Sequence, residues 1–259
     1  MKNTELLRRV QWKDLTTLSI KEMLIENNIS IPWALSSWLL AYYGYYLLAL
    51  PCSTMFFLAA LRQTHNGFHN ALGTTKFLTW FTLYSNSILM LTAMHAVRFT
   101  HLRHHKYCLG EFDCEGKSAF MTWWQAILYG PVHVFLVHKT ALQQGNTKDR
   151  LNILFELASI VVFIGVIWYH QVYFLMYHLF IMAIGELLSA FFTVWTVHHD
   201  CGEDTIARTQ RTSWKNILTY GMFYHLEHHL FPAVPTIKMP ELSKRLDEVA
   251  PDLEKKMTF

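Results

Sequence analysis

The sequence predicts an all-α integral membrane protein with about four transmembrane helices, further re-entrant or interfacial helices, and a cytosolic cap that carries clustered histidines. Of the 259 residues, 52% are hydrophobic and 16% are charged, whereas soluble domains carry about 25% charged residues. Long uncharged segments alternate with polar ones, and most histidines lie where these segments end. We predict one domain over residues 1–259, with a cytosolic or interfacial N-terminal segment (1–30) and a cytosolic C-terminal part (198–259). Within the first segment, residues 18–29 fit an amphipathic helix on the membrane surface or in solvent.

The first apolar stretch covers residues 31–61, which contain no charged residue. It is long for one crossing and short for two crossings of about 20 residues each. Gly44 and Pro51 offer a turn. We therefore predict a first span over residues 32–48 and a second that begins near Pro51 and continues as a helix through His69.

The second apolar stretch, residues 77–97, is also uncharged and long enough to cross a membrane. A crossing would place the histidines at 65–69 and at 101–105 on opposite sides of the bilayer, where they could not share a site. The stretch also contains the polar residues 85–87 and His95, which are costly to place in lipid. We therefore predict a re-entrant or interfacial helix that returns to its starting side, an inference that depends on the histidines forming one site.

The third apolar stretch, residues 151–197, follows a region at 106–150 that is predicted to form a loop and short helices. It contains no lysine or arginine, and Glu156 and Glu186 are its only acidic residues. Its length suits two spans joined by a turn near residues 170–171.

The placement of positive charge supports a four-span layout. None of the 22 lysines and arginines lies within 31–61, 77–97 or 151–197. In this layout all of them fall on the side that carries the histidines, and the two opposite turns are short and uncharged. The positive-inside rule then places the histidine clusters and both termini in the cytoplasm. The net charge of +3, without a basic tract, gives no indication of nucleic-acid binding.

Histidines form four groups along the chain. The last group, in the stretch YHLEHHLFPAVP at 224–235, has rings at i, i+3 and i+4, which share one face of a helix. HLRHH at 101–105 repeats this spacing, and HNGFH at 65–69 has the i, i+4 pair. A further pair stands at 198–199.

Histidines in such groups indicate a metal site, because imidazole is a ligand of iron, zinc, copper and nickel. Their number exceeds what one tetrahedral zinc requires, so we predict two metal ions. The grouped histidines are His65, His69, His101, His104, His105, His198, His199, His225, His228 and His229. We interpret the remaining ones as packing or hydrogen-bonding residues, namely His95, His133, His138, His170 and His178.

The motifs HNGFH, HLRHH and HLEHHLFPAVP, in this order and separated by paired apolar stretches, resemble the histidine boxes of the membrane fatty acid desaturase superfamily. The similarity covers residues 31–246 and is most specific at 211–242, which is similar to the C-terminal signature of bacterial desaturases. The resemblance implies a non-haem diiron site, O2 as co-substrate and two external electrons. It also implies a fatty acyl chain or lipid as the substrate of desaturation, and a location in the bacterial inner membrane.

The resemblance implies metal ligands by position and no catalytic side chain beyond them. The family usually has a further ligand after the last span, where TVHHD stands at 196–200. From its position relative to the span we prefer His199 and keep His198 as the alternative. The implied ligands are therefore His65, His69, His101, His104, His105, His199, His225, His228 and His229.

Four acidic residues near the boxes are candidates for carboxylates that orient the imidazoles. The alternative for each is a solvated charge in the cytosol. The segment GEFDCEG at 110–116 departs from the Asp-Pro pattern of many relatives, so the resemblance does not define the substrate class. The four candidates are Asp113, Glu115, Asp200 and Glu227.

Other functions suit the same scaffold. A carotenoid ketolase or hydroxylase, or a lipid hydroxylase, would differ only in how the substrate is placed. A more distant alternative is a non-catalytic metal- or haem-binding membrane protein, but a carrier would place its ligands along a path at the bilayer midplane. The sequence has no HPGG haem-binding motif and no iron–sulfur cysteine pattern. We therefore expect a separate electron donor such as a ferredoxin or rubredoxin.

Overall fold

The computed structural model describes residues 8–202 and 205–259, and these residues form helices and turns with no β-strand. The predicted all-α class is confirmed for this part of the chain, while the first seven residues of the 1–30 segment lie outside it. A π-helical segment, Ala190–Trp195, leads into the short turn Thr196–His198. The helices are α1 (Ile20–Asn28), α2 (Ile31–Tyr42), α3 (Tyr46–Phe68), α4 (Lys76–Met90), α5 (Met94–Tyr107), α6 (Trp123–Leu128), α7 (Gly130–Gln144), α8 (Thr147–Tyr169), α9 (Tyr173–Leu187), α10 (Ser213–Leu218), α11 (His225–Leu230) and α12 (Met239–Val249).

Two helices, α3 and α8, are each 23 residues long and apolar enough to cross a membrane. Helix α9 and the segment Ala190–His198 are bent by 43° relative to each other and add a third candidate if both belong to one span. Helix α2 has only 12 residues, about 18 Å of helix against a hydrocarbon core of about 30 Å. The described residues thus contain two or three candidate spans, where the sequence predicted about four.

The turn between α2 and α3 lies at Gly44 and not near Pro51. Gly44 has a φ of +79°, in the left-handed region that side chains disfavour, and it reverses the chain there. Pro51 lies inside α3, in its second turn, where the helix loses one backbone hydrogen bond. The predicted span over 32–48 and the start of the second span near Pro51 are therefore wrong. The predicted continuous helix up to His69 is confirmed, because α3 ends at Phe68 and His69 is its C-cap residue.

The apolar stretch 77–97 is interrupted between α4 and α5. Leu91 adopts a left-handed φ of +62°, and its N–H bonds the carbonyl of Ser87. The Thr92 N–H bonds the same carbonyl at 3.2 Å, and the Ser87 hydroxyl accepts the N–H of Met94 at 2.9 Å. The chain therefore turns here, in agreement with the predicted return to the starting side, and the histidine groups that flank the stretch meet in the structure.

Glu156 of α8 holds the beginning of α5. Its buried carboxylate accepts the backbone N–H of His95 at 3.1 Å and the ring Nδ1–H of the same residue at 2.6 Å. The Ser87 hydroxyl lies 2.7 Å from the same carboxylate. A negative charge at a helix N-terminus also interacts favourably with the helix dipole. Because α5 carries HLRHH, this contact fixes how those histidines are presented.

A buried ion pair connects α1 to the end of α3. Glu26 is fully buried, pairs with the guanidinium of Arg62, and accepts a hydrogen bond from Asn66 Nδ2 at 2.8 Å. Asn66 Oδ1 in turn accepts the N–H and hydroxyl of Thr236 at 3.1 and 2.8 Å. Arg62 also donates to the carbonyl of Tyr220 at 2.9 Å. The network links the end of α3, which carries the histidines at 65–69, to the C-terminal part, which carries the histidines at 225–229.

The later turns follow the sequence-based prediction. Helices α8 and α9 are joined by His170–Val172, and Gln171 adopts a positive φ of +52°. The region 106–150 contains a loop followed by α6 and α7.

We expect Glu156→Leu to lower the midpoint temperature of unfolding of the purified protein in detergent by several degrees. The substitution leaves the buried backbone N–H and the imidazole of His95 without their acceptor, and each such group costs about 1–3 kcal/mol, whereas the Ser87 hydroxyl keeps the Leu83 carbonyl as its acceptor. Ser159→Ala is the matched control on the same helix, because its hydroxyl bonds only Phe155 and Tyr84. Equal midpoints for the two variants would contradict the role assigned to Glu156.

Candidate metal centre

Nine histidines from four parts of the chain converge at one end of the helical bundle. They come from the end of α3, from α5, from the turn that follows the π-helical segment, and from α11. The rings divide into two groups, and in most of the close pairs it is the Nε2 atoms that face each other. The converging residues are His65, His69, His101, His104, His105, His198, His225, His228 and His229.

The first group contains five rings. The Nε2 atom of His101 lies 3.1 Å from that of His69 and 3.1 Å from that of His105. The Nε2 atom of His228 lies 2.8 Å from that of His105. The His65 ring centroid is 4.1 Å from that of His228, and His65 Nε2 is buried without a hydrogen-bond partner among the described residues.

The second group is a closed circuit of four Nε2 atoms. His104 lies 3.0 Å from His198 and 3.3 Å from His229, measured between Nε2 atoms. His225 closes the circuit at 2.9 Å from His198 and 3.1 Å from His229. Cys108 Sγ lies beside the group, 3.9 Å from His229 Nδ1. Burial raises the pKa of the Cys108 thiol to about 12, which keeps it protonated at neutral pH.

The other ring nitrogen fixes the tautomer in two of these residues. His198 Nδ1 lies 2.9 Å from the carbonyl of Ile206, and a carbonyl only accepts, so this nitrogen carries the proton. His104 Nδ1 lies 2.7 Å from the carboxylate of Asp113 and is protonated for the same reason. When both rings are neutral, as metal binding requires, their Nε2 atoms therefore present lone pairs to each other.

Facing lone pairs repel unless a cation lies between them, so the donor set fits metal ions. Imidazole nitrogens about 2.1 Å from a metal lie about 3 Å from one another when they are adjacent ligands, and the observed separations are 2.8–3.3 Å. Ligand atoms in each of two sets lie within 4.8 Å of one another. The sets are His65, His69, His101 and His228, and His104, Cys108, His198 and His229.

Asp113 is the best-supported carboxylate at the site. Besides the His104 ring, it accepts the backbone N–H groups of Leu109 and Gly116, each at 2.9 Å, and of Glu115 at 3.1 Å. Burial alone would raise its pKa, but the hydrogen bonds from His104 and from the backbone lower the pKa of Asp113 to about 2. The residue stays ionised and holds the His104 ring in its tautomer and orientation.

Glu115 orients a ring of the first group. Its Oε1 atom lies 3.0 Å from His101 Nδ1, while its Oε2 atom is buried without a partner in the described chain. Burial raises the pKa of Glu115 to about 7, and the nearby His104 opposes that rise. The structure thus places two of the four candidate carboxylates, Asp113 and Glu115, against histidines of the site.

The structure places the two histidines after the last apolar stretch differently. His198 lies in the second group, whereas the preferred residue, His199, lies outside it. His199 donates its Nδ1–H to the carbonyl of Trp195 at 2.8 Å and stacks on that indole with ring centroids 4.0 Å apart. The physical reason is the π-helical segment Ala190–Trp195, whose wider turns shift the register of the following residues.

Two of the predicted carboxylates are not placed at the site. The side chain of Asp200 is 81% exposed and pairs with Arg208 at 3.2 Å. Glu227 is fully buried, but its hydrogen bond from Thr209, 2.7 Å long, and its ion pair with Arg211 stabilise the C-terminal part instead. Neither carboxylate forms a hydrogen bond or ion pair with a histidine ring within the described residues.

Most of the ungrouped histidines have the hydrogen-bonding roles expected of them. His95 bonds Glu156, as described above, and His178 donates to the carbonyl of Leu89 at 2.9 Å. His138 bonds the carbonyl of Val134 at 2.8 Å and the N–H of Ala93 at 3.2 Å. His170 caps α8, and His133 lines a cavity.

A cavity adjoins the histidine groups, with an empty volume of about 1060 Å³ that includes its open mouth. His65, His101, His225 and Glu115 form part of its wall. Apolar side chains form much of the remainder, including Phe57, Leu58, Leu61, Phe68, Met90, Met94, Val97, Val134, Val137, Phe192 and Val197. The sequence showed these residues only as apolar and aromatic, and nothing in their spacing marked which of them face a cavity.

Together, the apolar helices and the converging histidines define an integral membrane protein with groups of side chains that can bind metal. The family model described as fatty acid desaturase matches residues 36–259 of the chain. The chain therefore belongs to the membrane fatty acid desaturase superfamily, which is a family of oxidoreductases whose substrates are acyl chains and lipids in the membrane. A search of curated proteins found no significant match to the chain.

We expect His198→Ala to lower the metal bound per purified chain by about half, because the second group loses one of its four nitrogens. His199→Ala is the matched control and should retain the metal content of the unmodified protein. The measurement is elemental analysis after reconstitution with ferrous iron. Loss of bound metal in His199→Ala, with none in His198→Ala, would instead identify His199 as the ligand.

We expect Asp113→Asn to weaken iron binding about 10- to 100-fold, as is typical when a partner that orients a metal-binding imidazole is changed. In the unmodified protein the carboxylate oxygens of Asp113 accept N–H groups. In the variant the amide NH2 group would face N–H donors instead. Asp200→Asn changes the same functional group at an exposed position and should leave the affinity unchanged. A titration with ferrous iron that gives equal affinities for both variants would remove Asp113 from the site.

Proposed function

We propose that the protein is a membrane-bound, O2-dependent diiron oxidoreductase that desaturates a fatty acyl chain or lipid with two external electrons. The observation that carries the proposal is the convergence of nine buried or half-buried imidazoles into two groups beside an apolar cavity. Family membership supports the reaction class.

In this proposal each histidine group holds one iron. The first iron would be held by His65, His69, His101, His105 and His228, and the second by His104, His198, His225 and His229. When bound, the irons supply the activation of O2 that allows hydrogen to be removed from an unactivated C–H bond. Asp113 and Glu115 keep the rings of His104 and His101 in the orientation that binding requires.

The cavity provides the place for an acyl chain. Phe57, Leu61, Met94 and Val97 offer apolar contacts, and a chain in contact with them lies beside the His65 ring on the shared wall. His104 and His101 are 2% and 4% exposed, so these two rings are shielded from bulk water. Which carbon lies nearest the irons determines the regiochemistry.

Four membrane crossings remain part of the proposal, formed by the pairs α2–α3 and α8–α9. The turns of both pairs lie together, because Tyr46 and Tyr177 have ring centroids 5.3 Å apart and Tyr42 and Phe174 have ring centroids 5.9 Å apart. Exposed aromatic residues at these turns suit a membrane interface, where tyrosine and tryptophan are enriched. These residues are Tyr42, Tyr43, Tyr45, Trp168, Tyr169 and Tyr173.

The opposite side of the protein would then face the cytoplasm at a bacterial inner membrane. It carries the histidine groups, both termini and the 198–259 part, within a single domain over residues 1–259. A separate donor such as a ferredoxin or rubredoxin supplies the electrons. Arg98, Arg103 and Lys106 line one shallow surface pocket on α5, close in sequence to His101 and His105, and suit an acidic donor.

Iron analysis of the purified protein tests the cofactor. We expect close to two irons per chain, because two groups of nitrogen ligands are present. His170→Ala, at the turn between α8 and α9, is the control and should keep this content. One zinc and no iron per chain would defeat the proposed chemistry.

Lipid and pigment profiling tests the reaction in a host with and without the gene. We expect new double bonds in acyl chains. His228→Ala should abolish them while the protein stays in the membrane fraction, and His170→Ala should retain them. An alcohol or ketone product would assign a lipid hydroxylase, or a carotenoid ketolase or hydroxylase, in place of a desaturase.

A further inference from the structure

One part of the cavity wall is polar without belonging to the histidine groups. It is formed by Thr92 after the break between α4 and α5, His133 on α7, Glu186 on α9, and Ser189 before the π-helical segment. We call these four residues the polar wall. Polar groups at membrane depth are costly, and they are kept mainly where they serve a function.

Glu186 is a buried carboxyl with an incomplete set of partners. Within the described residues, Oε2 of Glu186 accepts a hydrogen bond from the Thr92 hydroxyl at 2.9 Å. Glu156, the other acidic residue of the stretch 151–197, bonds Ser87 and both the backbone and the ring of His95. Both carboxyl oxygens of Glu156 thus have partners within the fold. Glu186 can accept further hydrogen bonds from a group in the cavity.

His133 is a second polar group that lacks a partner. It is 6% exposed, lines the cavity, and its Nδ1 atom has no hydrogen-bond partner in the part of the chain that is described. His138, further along the same helix, bonds through both ring nitrogens. A buried imidazole nitrogen without a partner is unfavourable, so its retention beside a cavity points to a ligand.

The packing of α7 on α9 brings His133 and Glu186 to the same part of the wall. At Gly130 the helices approach so closely that a Cβ would lie 1.6 Å from the carbonyl oxygen of Leu187. His133 follows Gly130 by three residues and shares its helix face, and Glu186 precedes Leu187. Both side chains line the same cavity, so a polar group inside it has access to each of them.

We propose that the polar wall binds a hydroxyl group of the substrate, so that the natural substrate is a hydroxylated lipid chain and not a plain hydrocarbon or polyene. A hydroxyl can donate to the Glu186 carboxylate and accept from the His133 ring, which satisfies both groups at once. An unsubstituted chain would leave His133 Nδ1 without a partner among the described residues and Glu186 with the Thr92 hydroxyl alone. The inference rests on the proposed function, because it takes this cavity to be the substrate site.

Binding to the purified, iron-loaded full chain in detergent tests the inference. The probes are methyl stearate and a series of methyl monohydroxystearates with the hydroxyl at successive positions, measured by displacement of a fluorescent stearoyl ester. We expect one isomer, or a few neighbouring ones, to bind at least tenfold tighter than methyl stearate. The hydroxyl would gain two hydrogen bonds, one to each side chain, and a combined gain of about 1.4 kcal/mol corresponds to about tenfold in affinity. Equal binding of every probe to the unmodified protein would overturn the inference.

Three variants and a control locate the effect. Glu186→Leu and His133→Leu should reduce the preference for the hydroxyl to below about threefold, and Glu186→Gln should keep part of it because an amide still bonds a hydroxyl. His170→Leu makes the same change as His133→Leu but lies at the exposed turn, and it should keep the full preference. Persistence of the preference in both leucine variants of the wall would overturn the assignment.

The outcomes separate this inference from the proposed function. Oxidation of methyl stearate without any hydroxyl preference would refute the inference and leave the oxidase chemistry standing. Tight, position-dependent binding of a hydroxystearate with no oxidation of any probe would support the inference while refuting the proposed reaction.

Discussion

The structure depends on one electrostatic constraint: nine imidazoles have to be held inside a protein with most of their neighbouring Nε2 atoms about 3 Å apart, at the separation that a shared metal ion requires. Facing lone pairs repel, so each ring must be held by something other than its neighbours. His104 is held by Asp113 and His198 by the carbonyl of Ile206, and both contacts use the nitrogen that points away from the centre. The loop that supplies Asp113 and the helix ends that supply the rings are therefore as much a part of the site as the rings are.

Buried charges inside the apolar bundle serve the same constraint from a distance. Glu156 fixes the first turn of α5, and Glu26 links α1 to the end of α3 through Arg62 and Asn66. Removing one partner of such a contact leaves a group that neither lipid nor apolar core can satisfy. A hydropathy pattern gives no role to isolated charged residues such as these. In the structure they determine where the histidine-bearing helices begin and end.

The sequence predicted the features that depend on local spacing, and it failed where the register depends on tertiary structure. The three histidine motifs, the return of the 77–97 stretch and the turn at His170–Val172 could all be predicted, because each is encoded within a few residues. The choice between His198 and His199 could not, because a π-helical segment upstream changes which residue faces inward. Glu227 stands between two site histidines in sequence, yet it points to Arg211, and only the packing of the C-terminal part shows this.

The i, i+3, i+4 spacing explains how two groups form from so few helices. Side chains at i and i+4 differ by about 40° around a helix, while i+3 lies about 60° to the other side. On α5 the pair His101 and His105 joins the first group and His104 the second, and on α11 the pair His225 and His229 joins the second and His228 the first. Each helix thus contributes to both groups in opposite proportions, which ties the two positions rigidly together. The motif at 65–69 lacks the i+3 ring and serves one group only, so the other requires a ligand from elsewhere, and the turn at His198 provides it.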